Sequence, residues 1–316
     1  MILNAIQAIL MVLIIVAVGY FVGYKGWANK GVTNFITKLI VNITLPCTIV
    51  MAFLNNLTIE KMADSWIYIA AAFVAVGIVY LIGKLVALKI NPKRRGVFTA
   101  LFSFSNSVFI GLPIATAIFG PDGLIFAVFY FIANSTFMNS AGYLEIAKDG
   151  QVIAGKEKQK TNAKELLKRV FSPPLIAIIV SFVLVLLKVQ LPSFLNMALT
   201  YTGGITSPLA LIFIGIILQR NGLKKMRKIE KGISISLIGR FIVSPIVMLL
   251  VAMLFRLDTF STQVFIIQMS LPAMVQTAIF AEAFGADTEF ASKGVIVTML
   301  LSFITIPIYV ALFGLM

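Results

Sequence analysis

Residues 103–120, SFSNSVFIGLPIATAIFG, are apolar and numerous enough to cross a bilayer, yet they carry helix-breaking residues halfway along. Gly111 and Pro113 lie in the middle, and Asn106 precedes them. Because proline lacks a backbone N–H and its ring clashes with the preceding turn, we expect the helix to divide near Leu112 into two half-helices. In hydrocarbon the freed backbone groups need partners from protein or from a wet cavity. The break is therefore a candidate binding site.

A second stretch repeats this design. Residues 264–285, VFIIQMSLPAMVQTAIFAEAFG, have Pro272 near the middle, followed by Gln276 and Thr277. Pro113 and Pro272 are separated by about half of the 316-residue chain. Interrupted apolar segments at corresponding positions of two halves are typical of the binding sites of secondary transporters.

The composition indicates a polytopic membrane protein. Of 316 residues, 60% are hydrophobic and 12% are charged, and the mean hydropathy is +1.02. We attribute the net charge of +14 to basic cytoplasmic loops rather than to nucleic-acid binding. Cys47 is the single cysteine, and the sequence contains no histidine. An internal disulfide and histidine-dependent zinc or Ser-His-Asp chemistry are thus excluded, and neither a cofactor, a metal site nor an enzymatic activity is expected.

Apolar runs of about 20 residues predict an all-α protein with ten transmembrane helices. The predicted spans are residues 2–23, 33–55, 66–88, 96–119, 123–145, 172–190, 195–218, 233–255, 262–284 and 291–315.

The distribution of basic residues predicts the orientation. Most of the 26 Lys and Arg residues fall in alternate loops, which places those loops in the cytoplasm and both termini outside. The longest polar segment, residues 146–171, separates two halves of five spans each, residues 1–145 and 172–316. Two homologous halves with an odd number of spans must be inverted relative to each other.

Several stretches resemble the auxin efflux carrier family, which includes bacterial malate-permease-like carriers and belongs to a bile-acid symporter-like superfamily. The similar stretches are NITLPCTIVMAF (42–53), SNSVFIGLPIATAIFG (105–120), SPPLIA (172–177), SPLALIFIGIIL (207–218), Arg240 with Pro245, and SLPAMVQTAIFAEAFG (270–285). The resemblance implies two inverted five-helix repeats in which spans four and nine cross. It also implies a scaffold of spans 1, 2, 6 and 7, a transport domain of spans 3, 4, 5, 8, 9 and 10 that moves as an elevator, and a homodimer formed through the scaffold.

The broken helices predict a site for an anion. If Pro113 and Pro272 each begin a second half-helix, two partially positive helix ends face one cavity and favour a carboxylate. Polar side chains there could contact the substrate, or could tie the broken backbone ends together. The candidate substrate-binding residues are Ser105, Asn106, Gly111, Pro113, Asn134, Pro272, Gln276, Thr277 and Arg240.

Arg240 is a basic residue inside a predicted span, where charges are usually functional. It lies about seven residues from the start of span eight, which favours extension of its side chain to the cytoplasmic headgroups. The alternative is that its guanidinium holds a substrate carboxylate with two hydrogen bonds. The middle of each broken helix lacks a carboxylate, which argues against cation exchange as the main function.

The predicted function is secondary active transport of a small organic anion, such as malate, another carboxylate or an auxin-like acid, across the plasma membrane. Coupling to protons, to membrane potential or to counter-exchange stays open. One alternative is a sodium-coupled symporter in which Asn106 and Gln276 coordinate the cation. Another is a membrane sensor that binds a similar ligand without transporting it.

Overall fold

The computed structural model describes residues 2–57, 59–155, 171–221 and 229–313. Apart from one isolated β-bridge, the secondary structure in these ranges is helical. The helices of the first half are α1 (Ile2–Tyr24), α2 (Lys30–Leu39), α3 (Leu45–Asn56), α4 (Ile59–Ala87), α5 (Arg95–Ser103), α6 (Leu112–Phe137) and α7 (Tyr143–Ala154). The helices of the second half are α8 (Pro173–Leu186), α9 (Ser193–Gly204), α10 (Thr206–Asn221), α11 (Lys231–Ile238), α12 (Ser244–Phe255), α13 (Thr259–Met269), α14 (Gln276–Phe284) and α15 (Thr288–Phe313).

The helices follow the predicted apolar runs closely. Within the described residues, six helical segments are long and apolar enough to cross a membrane, judged by length and composition. Two shorter apolar helices cover Leu10–Tyr24 and Pro173–Leu186. The chain turns between predicted spans four and five at Gly120, whose φ of 71° is accessible to glycine at little cost. The count of ten spans and their inverted arrangement stay predictions, and residues 156–170 of the predicted linker lie outside the described ranges.

Three prolines inside long helical stretches are each preceded by a π-helical turn. A proline ring clashes with the carbonyl four residues earlier, and a turn with i→i+5 hydrogen bonds widens the helix at that point. Three such turns each end two residues before a proline: Ile40–Thr44 before Pro46, Ser107–Gly111 before Pro113, and Gly239–Val243 before Pro245. The helix is therefore continuous from Ser107 through Pro113, and the predicted division near Leu112 is wrong.

We call the helices of predicted spans 1, 2, 6 and 7, which are α1–α3 and α8–α10, the first helix group. Helices α1 and α10 approach so closely that a Cβ added to Gly19 would lie 2.0 Å from the carbonyl oxygen of Ile212. A Cβ added to Gly215 would lie 2.0 Å from the carbonyl oxygen of Val16. Helix α3 packs against α8 and α9. Glycines at such contacts allow two backbones to touch, which is how helices without a hydrophobic driving force associate in lipid.

The second helix group consists of α4–α7 and α11–α15. Helix α4 packs against α5, α6 and α12, and α14 packs against α7 and α15. At the predicted cytoplasmic ends of these helices, Arg94 forms ion pairs with Glu230 and with Asp287 and lies over the ring of Phe290. Burial alone would lower the pKa of Arg94, but its hydrogen bonds to both carboxylates raise it. The two groups meet where α6 packs against α1 and α3.

Candidate functional site

Two unwound segments cross near the middle of the molecule, and we call them together the crossover. Residues 104–106 separate α5 from the π-helical turn before α6, and residues 270–275 separate α13 from α14. The segments pair in antiparallel fashion, as two short strands would. The bridge joins Ser105 to Ala273, and it is flanked by hydrogen bonds from Asn106 N to the carbonyl of Pro272 (2.8 Å) and from Met274 N to the carbonyl of Phe104 (3.0 Å).

On the side away from the bridge, the backbone of Ser105 and that of Ala273 are each hydrogen-bonded by a side chain from a later helix. Asn134 accepts a hydrogen bond from the backbone N–H of Ser105 at 3.1 Å and donates one to its carbonyl at 2.8 Å. In the second half, the hydroxyl of Thr298 accepts the N–H of Ala273 at 3.0 Å. The two halves thus satisfy their broken backbones in the same way, with one polar side chain from the following predicted span.

The second half-helices begin at the crossover, although not at the prolines. The first begins at Ser107, before Pro113, and the second begins at Gln276, after Pro272. The prediction that each proline starts a half-helix is therefore wrong. The side chain of Asn106 caps the first of these helices by accepting the N–H of Phe109 at 3.3 Å. The two partially positive helix ends still meet in one region.

Sequence reasoning did not find Tyr130 and Gln268. The hydroxyl of Tyr130 lies 2.7 Å from that of Ser105. Tyr130 precedes Asn134 by one helical turn, and this spacing is the feature of the sequence that could have identified it. Gln268 donates to the carbonyl of Gly111 at 3.0 Å. A Cβ added to Gly111 would lie 2.3 Å from Oε1 of Gln268, so a larger residue here would displace the Gln268 side chain.

Arg240 lies against the crossover and is fully buried, with 0% of its surface exposed. Its Nη2 donates to the carbonyl of Met269 at 2.8 Å and to the hydroxyl of Ser244 at 3.2 Å. The preceding residue, Gly239, is in close contact with α5. A Cβ added to Gly239 would lie 2.2 Å from the ring of Phe102. The side chain of Arg240 points into the protein, toward the end of α13. The prediction that its side chain reaches the cytoplasmic headgroups is wrong.

Several buried polar atoms around the crossover have no hydrogen-bond partner among the described residues. Buried polar atoms are normally paired, so a set of unpaired ones around one break can receive a polar ligand. Thr277, one of the residues with such an atom, is fully buried. Thr116 is not one of them, because its hydroxyl donates to the carbonyl of Leu112 in the same helix. The unpaired atoms are Asn106 Nδ2, Arg240 Nε and Nη1, Gln268 Oε1, Gln276 Oε1 and Thr277 Oγ1.

A cavity of about 360 Å³ opens on the predicted outer side, and we call it the outer cavity. Phe129 contributes to its lining and is followed directly by Tyr130, which bonds to the crossover. The outer cavity and the crossover are thus both in contact with α6. Its lining residues are Leu57, Tyr68, Asp122, Ile125, Phe126, Phe129 and Phe260.

Along nearly its whole length the chain is similar to known membrane transport proteins. The family described as Membrane transport protein matches residues 4–310. An uncharacterised transporter of Methanocaldococcus jannaschii is 26% identical over 314 residues, which are 96% of this chain and 97% of the relative. The uncharacterised transporter YfdV of Escherichia coli is 21% identical over 307 residues, 96% of this chain and 95% of the relative. The chain therefore belongs to the membrane transport protein family of auxin efflux carriers and is a multi-pass membrane transporter.

Proposed function

We propose that the protein is a secondary transporter of a small organic anion and that the crossover is its binding site. The observation that carries this proposal is the antiparallel pairing of residues 104–106 with 270–275, which brings the helix N-termini at Ser107 and Gln276 into one region. N–H groups and helix dipoles at such ends favour a carboxylate.

Movement of the site across the membrane is supported by the division into two helix groups. The crossover belongs to the second helix group, and tight glycine contacts hold α1 to α10 in the first. We propose that the first group is a scaffold and that the second moves along it as an elevator, with the outer cavity as the route from outside. Substrate then reaches the crossover alternately from each side, in the plasma membrane and with both termini outside.

Uptake into proteoliposomes tests this function. Purified protein is reconstituted, labelled malate and other labelled carboxylates are offered, and proton, sodium and potential gradients are imposed one at a time. Saturable uptake of any carboxylate, absent from protein-free vesicles, is the expected result and identifies the coupling. Carboxylate binding without uptake under every gradient would contradict transport and would favour a sensor.

A sodium-coupled symporter is the second candidate. It is favoured by the buried oxygens of Gln268, Gln276 and Thr277, which lack hydrogen-bond partners in the described part of the chain. Sodium binds to oxygen ligands, and carboxamide and hydroxyl oxygens can supply them. In the same assay this candidate requires uptake that follows an imposed sodium gradient at zero potential.

Two alanine variants test the site itself. We expect Asn106→Ala and Gln276→Ala each to lower the rate of carboxylate uptake at least about tenfold, because each removes a polar group worth roughly 1.5 kcal/mol or more to a charged substrate. The amount of folded protein should stay near that of the wild type. Asn196→Ala, in the exposed part of α9, is the matched control and should transport normally. Wild-type kinetics in both variants would disprove the site assignment.

A further inference from the structure

The charge of Arg240 has no counter-charge within the part of the chain that the structure describes. It is the only buried basic side chain there, and it takes part in no ion pair. Among the described residues, the buried acidic side chain is Asp149. It accepts the N–H groups of Gly96 and Val97 at the start of α5, which is the end of that helix away from the crossover. An isolated buried charge is costly to a protein, so Arg240 requires a partner that arrives from outside.

The guanidinium has donors available for such a partner. Its Nη2 is engaged by the carbonyl of Met269 and the hydroxyl of Ser244, while Nε and Nη1 have no hydrogen-bond partner among the described residues. The hydroxyl of Tyr130, which bonds to Ser105 in the crossover, lies close to the guanidinium. The N–H groups of Nε and Nη1 therefore lie beside the crossover and the Tyr130 hydroxyl, and N–H donors on a cation are well suited to a carboxylate.

The helix ends at the crossover do not add a net charge. Two half-helices end there, at Ser103 and Met269, and two begin there, at Ser107 and Gln276. Each end carries about half an elementary charge, negative at the carboxyl end and positive at the amino end, so the four sum to no net charge, while the field close to the two amino ends stays positive and still favours an anion there. The net charge of the empty site is then the single positive charge of Arg240.

We propose that the crossover selects a singly charged carboxylate and that Arg240 is its counter-charge. This inference rests on the proposed transport function and names its substrate class. One negative charge neutralises the site, whereas a dicarboxylate leaves a second negative charge in a region of low dielectric, where an unpaired charge is strongly disfavoured.

The proposal makes the loaded carrier electrically neutral. When the second helix group moves with a monocarboxylate bound, Arg240 and the substrate cross the membrane field together without net charge. The empty carrier returns with one positive charge. A full elementary charge that crosses 100 mV changes an equilibrium roughly 50-fold and the corresponding rate several-fold. Exchange of one monocarboxylate for another, which uses only the loaded form, should therefore not respond to membrane potential.

Ligand selectivity is tested on the wild-type protein by thermal stabilisation at neutral pH. L-lactate and malate form a matched pair, since malate is lactate with a second carboxylate, and propionate with succinate is another. We expect the monocarboxylate of a pair to bind at least about tenfold more tightly than the dicarboxylate. Tighter binding of the dicarboxylate in both pairs overturns the proposal. Uptake of either kind of acid upholds the proposed transport function regardless of this outcome.

The role of the charge is tested by exchange of labelled monocarboxylate under potentials set with potassium and valinomycin. We expect wild type and Arg240→Lys to exchange at rates independent of potential. In Arg240→Gln, affinity should fall about 100-fold and the residual exchange should become potential-dependent, because the loaded form then carries a negative charge. Arg220→Gln removes an exposed arginine and is the matched control.

Two results would overturn the assignment of Arg240. One is Arg240→Gln with unchanged affinity, and the other is wild-type exchange that varies several-fold with potential. If Arg240→Gln does not fold, the potential dependence of wild-type exchange still decides, since it needs no variant. Complete absence of uptake and exchange, with monocarboxylate binding retained, would contradict the transport function and leave the selectivity of the site established.

Discussion

In the first unwound segment, residues 104–106, the side chain of Asn134 forms hydrogen bonds with both backbone groups of Ser105, as a neighbouring strand would in a sheet. Its amide accepts the N–H of Ser105 and donates to the carbonyl of the same residue. It also donates to the hydroxyl of Ser107 at 3.2 Å. Both atoms of one amide are thus used to hold an unwound backbone, with no water needed. The side chain of Asn134, rather than a proline, stabilises the unwound backbone here.

We expect Asn134→Ala to destabilise the protein by about 2–3 kcal/mol, because the buried N–H of Ser105 loses its acceptor and a small cavity is left. Carboxylate uptake should fall as well, since the crossover loses its fixed shape. Asn139→Ala is the control, because that amide donates only within its own helix, to Ser135. Thermal unfolding in detergent measures both. A fall no larger than that of the control would contradict this role.

At the scale of the helices, the positions of the elements were predictable and the position of the first break was not. Hydropathy determines where apolar runs begin and end, and so the observed helices lie along the predicted apolar runs. Pro113 indicated a break that a π-helical turn instead absorbs. The break lies at residues 104–106 because residues 272–274 pair with it there, and such long-range pairing leaves little trace in the local sequence. The polar run Ser105–Asn106–Ser107 was the local signal.

Arg240 illustrates the same limit. Its distance along the helix from the predicted interface favoured extension to the headgroups, because sequence distance measures depth but not direction. Direction depends on two contacts made with other elements. Gly239 packs against Phe102, and the guanidinium donates to the carbonyl at the end of α13. Neither contact follows from the sequence of span eight.

Contact between α1 and α10 predicts that Gly215→Ala lowers stability. An added methyl would lie 2.0 Å from the carbonyl oxygen of Val16 and 2.5 Å from the backbone N of Tyr20, and backbone cannot move aside cheaply. We expect a loss of about 1–3 kcal/mol, read as a lower melting temperature. Gly204→Ala is the matched control, since no atom lies within 4 Å of its added Cβ among the described residues. Equal melting temperatures for the two variants would contradict the close packing.

The start of α13 predicts a pH dependence. Asp258 caps this helix, accepting the N–H of Ser261 at 2.9 Å and the hydroxyl of Tyr68 at 3.0 Å. Burial alone would raise the pKa of this carboxyl, but the hydrogen bonds from Ser261 and Tyr68 hold it below its usual range. Its stabilising contribution is therefore present above the unfolded pKa of about 4 and is lost as the pH falls through the lower folded value.

We expect Asp258→Ala to cost about 1 kcal/mol near neutral pH, at the lower end for a helix cap because the carboxylate is exposed to water. The difference in melting temperature from wild type should shrink as the pH falls below about 4. Melting curves of both proteins across the acidic range measure it, with Glu289→Gln as a control that removes another exposed carboxylate. A difference that does not change with pH would contradict the charged cap.

At the scale of the whole molecule, charge is distributed according to the membrane. Basic residues collect at one end of the helices, including Lys84, Lys93 and Arg94, and an ion-pair cluster there joins the loop before α5 to α11 and to the loop before α15. The opposite end carries the outer cavity and Asp258. Since loops rich in Lys and Arg stay in the cytoplasm, this asymmetry predicts that Gln190, between α8 and α9, lies outside the cell.

Cysteine labelling in intact cells checks the orientation. In a Cys47→Ser background, which removes the single native thiol, we expect Gln190→Cys to react with a membrane-impermeant maleimide without permeabilisation. Lys93→Cys, equally exposed but at the basic end, should react only after the membrane is opened. The two positions lie on opposite sides in either orientation, so each is the control for the other. Labelling of Lys93→Cys alone in intact cells would invert the whole topology, and the outer cavity would then open to the cytoplasm.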